Sequence, residues 1–203
     1  MASKKVRVPK QNRGIETKDR ILKAAEALFS EKGYYSTNSK EIAARAGVAI
    51  GSFYSYFKDK KAVFFEVLDN YNQRVMERVS LPPASSGSSW KSGKDLLNHL
   101  LKTALKAHDL SPRFHREATV MRYSDPAVEA FFDQEDEKMT SRIESFFDLF
   151  EEELRVKDKK AAALVIHEAM EEVIHSIKIF GAKIPERRLL KELEDMISRY
   201  LFT

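Results

Sequence analysis

The stretch that decides the fold runs from residue 38 to residue 57 and reads Asn38-Ser-Lys-Glu-Ile-Ala-Ala-Arg-Ala-Gly47-Val-Ala-Ile-Gly-Ser-Phe-Tyr-Ser-Tyr-Phe57. Two short helix-forming runs flank Gly47. Projected at about 100° per residue, Phe53 and Phe57 fall on one side of the second run, with small and polar residues opposite. This pattern predicts a helix-turn-helix, whose second helix lies in the major groove of DNA. An ordinary helical hairpin with a polar outer face fits the same spacing.

Helical patterns continue on both sides of this stretch. Ile21, Ala25 and Leu28 belong to one apolar stripe before Gly33, and Asp59 stands where a helix over residues 60–78 needs its N-cap. Asn38 and Glu41 have the spacing of a capping box. Further helical segments are predicted at about 94–108, 113–123, 126–154, 158–180 and 186–202. The chain is therefore predicted to be all-α, with about nine helices.

Composition excludes several classes of protein. The 203 residues are 43% hydrophobic and contain no cysteine, which rules out disulfide scaffolds, thiolate metal sites and cysteine nucleophiles. No apolar run approaches the ~18 residues of a membrane helix. The basic start, with no apolar segment after it, predicts no secretory signal. We expect a cytoplasmic protein without a membrane partner.

Charge is distributed unevenly along the chain. Residues 1–61 hold 14 Lys/Arg against 6 Asp/Glu, whereas residues 62–203 hold 21 against 25. A basic first third predicts that this end of the chain meets a polyanion. The predicted organisation is a basic disordered arm (1–14), a helix-turn-helix domain (15–61), a connecting helix (62–79), a Ser/Gly/Pro-rich flexible linker (80–93) and an effector-binding and dimerisation domain (94–203).

The N-terminal quarter of the chain resembles one known family. Over about residues 15–65 it is similar to the DNA-binding domain of the tetracycline-repressor (TetR) family of transcriptional regulators. The similarity consists of Thr37 and three spaced blocks: Ile21-Leu22-x-x-Ala25-x-x-Leu28-Phe29-x-x-x-Gly33-Tyr34, Ile42-Ala43-x-x-Ala46-Gly47-Val48 and Gly51-Ser52-Phe53-Tyr54-x-Tyr56-Phe57-x-x-Lys60.

The resemblance implies which residues contact operator DNA. Phenol, hydroxyl and ammonium groups at these positions fix the protein on phosphates, whereas base edges specify sequence. Ile50 departs from the family pattern, which commonly has Lys or Arg there, so a guanine-reading basic side chain is missing. Ser39 stands at a usually aliphatic position and Lys61 at a usually acidic one. The implied DNA-contacting set is Asn38, Ser39, Lys40, Ile50, Gly51, Ser52, Tyr54, Ser55, Tyr56 and Lys60.

The resemblance also implies a C-terminal domain that forms a homodimer and binds a small effector. The last two helices are apolar on more than one face, so we expect them to form the dimer interface, with Leu193 inside it. Aromatic walls favour an apolar effector, while the histidines and Arg113, Arg116 and Arg122 leave room for an anionic group. The candidate effector-binding residues are His99, Thr103, Phe114, His115, Thr119, Phe131, Phe147, His167 and Glu171.

The leading interpretation is a ligand-responsive DNA-binding repressor, with no catalytic residue, metal ligand or cofactor. One alternative is a metal-dependent enzyme that uses His167, Glu171 and His175, which recur every four residues along one helix. Only adjacent pairs in that series could share one ion, since the ends are about 12 Å apart. A second alternative is an architectural DNA-binding protein without an effector.

Overall fold

The structure is a computed structural model that describes residues 12–79 and 90–202. Within these ranges the predicted all-α fold is confirmed. The α-helices are α1 (Asn12–Lys32), α2 (Ser39–Arg45), α3 (Ile50–Tyr56), α4 (Lys60–Val79), α5 (Gly93–Ala107), α6 (Pro112–Arg122), α7 (Pro126–Phe147), α8 (Lys159–His175) and α9 (Glu186–Leu201). In the described part of the chain, no helix has the length and apolar character needed to cross a bilayer.

Two predicted segments fall partly outside the described residues. Residues 1–11 of the basic arm and 80–89 of the linker belong to those parts. The arm's last three residues, 12–14, already belong to α1. At the other end of the linker, Gly93 is the first residue of α5, and Ser92 caps that helix through its hydroxyl.

The chain divides into two compact units. The first contains the residues up to Gln73 together with Arg113–Ser124. Its core includes Phe29, Phe53, Phe64 and Phe114, each no more than 1% exposed. Full burial of such a side chain stabilises the fold by about 1.5–3 kcal/mol.

The segment Arg113–Ser124 lies in the first unit, although the sequence prediction assigned all of 94–203 to one domain. Packing explains the difference. The Phe114 ring lies 5.8 Å from the ring of Phe64 and 5.7 Å from that of Tyr71. The Glu117 carboxylate accepts a hydrogen bond from the backbone N–H of Tyr34. These contacts join α6 to α1 and α4, and no local pattern in the sequence shows them.

Of the described residues, 74–79, 90–112 and 125–202 belong to the second unit. Its main core lies between α5, α7, α8 and α9, so each of these helices buries one face. The largest core cluster of this unit includes Leu97, Leu101, Ile143, Phe147, Ala162, Ala163, Ile166, Leu193, Ile197 and Leu201.

The long helix predicted over 126–154 ends at Phe147 and continues as a 3₁₀ helix over Asp148–Glu153. After the 3₁₀ helix the chain pairs with the end of α9. Leu154 forms an antiparallel bridge with Phe202, and the Arg155 N–H donates to the Leu201 carbonyl at 2.8 Å. Gly93 lies beneath Phe202, where a Cβ would come within 2.4 Å of the ring. A larger residue at position 93 would therefore push this chain end away.

Candidate DNA-binding helices and candidate effector cavity

The turn between α2 and α3 has the geometry that the sequence predicts. The Asn38 side chain caps α2 by accepting hydrogen bonds from the backbone N–H groups of Lys40 and Glu41. In return, the Asn38 backbone N–H donates to the Glu41 carboxylate at 3.0 Å. The predicted capping box is therefore confirmed. Gly47 ends the first helix with φ +65°, a conformation that is strained for other residues.

Arg20 holds this turn from α1, although Arg20 was not among the functional residues predicted from the sequence. Its guanidinium donates two hydrogen bonds to the Ala46 carbonyl, at 3.0 and 2.7 Å, and one to the Gly47 carbonyl at 2.8 Å. These carbonyls end α2, so an arginine satisfies groups that the helix leaves without partners. The two partners are 26 and 27 residues away along the chain, and no local signal connects them.

The outer face of α3 is small and polar with two apolar edges. Ile50 is 38% exposed and Tyr54 47%, and a Cβ built on Gly51 would meet no atom within 4 Å. Phe53 on the opposite side is fully buried, which sets the orientation of the helix. Ser52, Ser55 and Tyr56 are half-buried along its flanks, and on α2 Lys40 is exposed and Ser39 half-buried.

Lys60 has a structural position that the sequence did not predict. Its ammonium donates to the carbonyls of Tyr34 and Thr37, at 2.6 and 2.7 Å, and lies 4.1 Å from the centre of the Tyr34 ring. Burial lowers the pKa of this ammonium, although the Glu41 carboxylate opposes the shift. Two of its three donors therefore hold the connection between α1 and α2, where we had expected a phosphate contact.

The second unit encloses a large apolar cavity. Its volume is about 890 Å³, including space open to solvent. Leu100, Met139, Phe146, Phe150 and Met170 are among the apolar wall residues. The polar groups on the wall are few: His108, Arg142, His167 and Glu171.

Glu171 is shared by two imidazoles. The Nε2 atom of His108 lies 3.5 Å from its carboxylate and the Nε2 atom of His175 lies 3.0 Å away. Burial would raise the pKa of the Glu171 carboxyl, but the two imidazoles outweigh it and hold that pKa well below its ordinary value. Burial opposes protonation of His108, yet Glu171 raises its pKa. These donors are of the kind that bind zinc, and the Nε2 atom of His175 lies within hydrogen-bond distance of the Glu171 carboxylate.

His167 does not join this cluster. Its Nε2 lies 3.2 Å from a carboxylate oxygen of Asp136 on α7. Burial by itself would lower the pKa of His167. The hydrogen bond to Asp136 and the negative charge of Glu171 outweigh this effect, so the pKa is raised. The three residues of the enzyme hypothesis therefore separate: Glu171 and His175 meet, whereas His167 turns to another helix.

Six of the nine predicted effector-binding residues do not line this cavity within the described residues. Phe114, His115 and Thr119 belong to the first unit: Phe114 is core, His115 Nδ1 lies 2.7 Å from the Tyr71 hydroxyl, and Thr119 donates to the His115 carbonyl. In the second unit, the His99 ring lies 4.8 Å from Trp90, Thr103 donates to the His99 carbonyl, and Phe131 packs beside Phe132.

Phe147, His167 and Glu171 are the predicted residues that do line the cavity. Arg142 and His108 line it too, but neither was in the predicted set. The predicted arginines stand elsewhere: Arg113 and Arg116 are exposed on α6 in the first unit, and Arg122 is half-buried at the end of that helix. A pattern of apolar spacing could not show which basic residue faces a cavity.

The outer faces of α8 and α9 expose apolar side chains. Leu164 is 47% exposed, Val165 57%, Met196 53% and Tyr200 45%. Leu193, which we had expected in the interface, is 3% exposed and packs in the core of its own chain. Because α9 has apolar residues on two faces, its sequence pattern did not show which face packs against the rest of its own chain.

Two family models match this chain. One, described as bacterial regulatory proteins of the tetR family, matches residues 21–67. The other, described as the tetracyclin repressor-like C-terminal domain, matches residues 94–201, which is more than half of the chain.

Among curated proteins, the HTH-type transcriptional regulator HbdR of Aromatoleum sp. (strain CIB) is 41% identical over 68 residues, 32% of this chain and 30% of that protein. The chain spans between 22% and 33% of the length of the first three curated relatives that it matches.

Two solved structures share the fold. NalD, the secondary repressor of the MexAB-OprM multidrug efflux pump in Pseudomonas aeruginosa, superposes with a TM-score of 0.69 at 20% identity, over 93% of this chain and 98% of that one. A complex of SmeT with triclosan gives 0.67 at 22% identity, over 92% of each chain.

Proposed function

The chain belongs to the TetR family of bacterial regulatory proteins, and from that premise we propose that it is a homodimeric transcriptional repressor released from operator DNA by a small apolar molecule. The observation that carries this proposal is the exposed face of α3 formed by Ile50, Gly51 and Tyr54, opposite the buried Phe53. In this role the protein works in the cytoplasm on double-stranded DNA and is not an enzyme.

The proposed DNA contacts fall into two groups. Tyr54 and Lys40 provide a phenol and an ammonium for phosphates, which set affinity for any sequence. Ser52 and Ser55, beside the open space at Gly51, are placed to read base edges. Close approach at Gly51 compensates for the short side chains, because it allows the helix backbone to sit deep in the groove.

DNA selected from a random library by the full-length protein tests this assignment. Lys40→Ala should weaken binding to selected and scrambled DNA alike and reduce the slope of log affinity against log salt by about one. Tyr54→Phe should also weaken both, whereas Ser52→Ala should change the selected sequence. Tyr123→Phe is the matched control, since Tyr123 is 85% exposed and lies outside α2 and α3. Selection that yields no preferred sequence would favour the architectural protein and contradict the proposal.

We assign the dimer interface to the exposed apolar faces of α8 and α9. Such a dimer can set two recognition helices about 34 Å apart, the repeat of the major groove on one side of DNA. Val165→Glu and Met196→Glu should each yield folded monomers in light scattering. Val120→Glu, at a 50% exposed valine of α6, is the control and should leave the dimer intact. Leu193→Glu should instead unfold the second unit, because it places a charge in the core. A monomeric native protein at micromolar concentration would refute this assignment.

We assign the effector site to the cavity of the second unit. Helix α4 begins in the first unit and ends in the second, where Val75 and Val79 line this cavity. A ligand there releases DNA only if it binds the DNA-incompetent state more tightly. Leu100→Trp should fill the cavity and abolish release by any effector found in a thermal-shift screen, while operator affinity is retained. Leu189→Trp on α9, outside the cavity wall, is the control. Release that survives Leu100→Trp would contradict the site.

The pairing of His167 with Asp136 argues against the alternative of a metal-dependent enzyme. Metal analysis of the purified protein tests it directly. Zinc or iron retained in stoichiometric amount and lost in His175→Ala would favour the enzyme.

A further inference from the structure

In the part of the chain that the structure describes, some of the charged groups on the cavity wall form ion pairs or hydrogen bonds with other side chains of the protein, and one does not. Glu171 lies between two imidazoles, and His167 lies beside Asp136. The half-buried Arg142 is different: among the described residues, no hydrogen bond or ion pair reaches its guanidinium. It is the one charged group on this wall without a protein partner in that part of the chain.

Local sequence explains why Arg142 has no partner on its own helix. Side chains three and four residues apart are neighbours on a helix surface. Those neighbours of Arg142 are Lys138, Met139, Ser145 and Phe146, none of them an acid. Lys138, one of these neighbours, pairs with Glu135 at 2.5 Å. Arginine does not lose its proton in proteins, so the charge remains.

We propose that the effector is a monoanionic amphiphile, whose apolar body fills the cavity and whose carboxylate meets the Arg142 guanidinium. This inference rests on the proposed function, since it names the chemical class of the ligand at the same site. The planar guanidinium matches a carboxylate with two parallel hydrogen bonds, which a neutral ligand cannot form. The surrounding wall is apolar, so the ligand needs one charged end and no second polar group.

A cationic ligand fits the same wall less well. Its counter-charge would have to be Glu171, whose carboxylate already interacts with His108 and His175. Part of that carboxylate surface is accessible, since its side chain is 32% exposed, but a cation would compete with two imidazoles there. Arg142 presents no such competition to an anion.

Three probes with one chain length test the inference: dodecanoate, dodecanol and dodecyltrimethylammonium, each kept below its micelle-forming concentration. Calorimetry on the full-length protein should rank dodecanoate tightest, by tenfold or more over dodecanol. Arg142→Gln should weaken dodecanoate by about tenfold to a hundredfold and leave dodecanol unchanged, since a hydrogen-bonded charge is lost. Arg142→Lys keeps the charge without the fork and should fall between. Arg188→Gln, at an exposed arginine of α9, is the control.

Every outcome bears on the inference. If dodecanol binds the protein and releases it from operator DNA as well as dodecanoate does, and Arg142→Gln has no effect, the inference of an anionic effector is wrong. The assignment of the cavity as effector site would still hold. Tightest binding of dodecyltrimethylammonium would overturn it in favour of Glu171. Failure of all three probes to bind would overturn it together with the cavity as effector site, while operator binding is measured separately. Thermal unfolding of each variant shows whether its fold is intact.

Discussion

The turn region of the first unit and the cavity of the second hold their key polar side chains in different ways. Around the turn, Arg20, Asn38 and Lys60 bond to backbone groups at or between helix ends, beside the ion pairs Arg45–Glu31 and Lys32–Glu41. Around the cavity, His167 pairs with Asp136 and His108 with Glu171, so side chains bond to one another. Bonds from side chains to backbone groups fix the position of the turn. The side-chain pairs on the cavity wall do not bond to helix ends, so they constrain the helix backbones less.

This difference matches what each region has to do. A helix that reads DNA must keep its position to within a fraction of an ångström, and bonds to main-chain carbonyls serve that need. A cavity must admit a ligand and respond to it, so its walls can leave contacts unmade. Four experiments test the comparison, from the largest expected effect to the smallest.

The largest contrast is between two phenylalanines. Phe114→Ala should lower the free energy of unfolding by about 3–5 kcal/mol, because its ring is fully buried in the core of the first unit. Phe146→Ala should cost about 1 kcal/mol, because the half-buried ring of Phe146 already borders empty space on the cavity wall. Urea unfolding followed by circular dichroism measures both. Equal losses would remove the distinction between a filled core and a cavity wall.

Lys60→Met tests whether this lysine holds the fold or the DNA. Loss of its bonds to the Tyr34 and Thr37 carbonyls should lower the free energy of unfolding by about 2 kcal/mol. Lys58→Met, at an exposed neighbour, should have no such effect. Should Lys60→Met keep full stability in urea and bind all DNA more weakly, the phosphate contact expected from the sequence would be correct.

Asn38→Ala removes the cap of α2. We expect a loss of about 1 kcal/mol in the free energy of unfolding, since two backbone N–H groups lose their acceptor. Asn38→Ser keeps a capping oxygen and should restore stability. Operator affinity of the two variants then separates two roles for Asn38. If affinity recovers together with stability in Asn38→Ser, Asn38 acts by positioning α2. If affinity stays low in Asn38→Ser, the Asn38 amide contacts DNA.

His167→Gln should change stability with pH, by less than about 1 kcal/mol. The pKa of His167 is raised in the folded protein, so its stabilisation is complete below the unfolded pKa of about 6.5 and is lost as pH rises through the folded value. The variant should therefore be less stable than the native protein at about pH 6 and nearly equal at about pH 9. His99→Gln, whose ring lies beside Trp90, is the control. A difference that grows with pH would contradict the charged pair.

Local sequence was enough for the first unit's central motif. The predicted family and the all-α fold are confirmed, as are the Asn38 capping box and the Asp59 cap of α4, which accepts from the Ala62 N–H at 2.7 Å. These features depend on residues within a few positions of one another. Caps, glycine turns and apolar stripes act over that range, so a single sequence displays them.

Residues that meet across the fold could not be predicted in this way. Phe114 was expected on a cavity wall and lies in the core of the first unit, since aromatic residues at helical spacing look the same in both settings. Leu193 was expected at a dimer interface and lies inside its own chain, because its helix is apolar on two faces. Whether a basic side chain has a partner is likewise invisible in one sequence, and Arg142 was missed for that reason.

What the order of residues decided, then, is a set of features whose physics is local: the caps at Asn38 and Asp59, the turn at Gly47 and the side of α3 that is buried. Tertiary packing decided which face of each helix is buried and which is exposed. It enclosed Phe147, His167 and Glu171 on one wall, placed Arg20 and Lys60 on distant carbonyls, and left Val165 and Met196 outside. The reason is that burial depends on neighbours brought together by the whole chain, which a periodic pattern along one helix cannot specify.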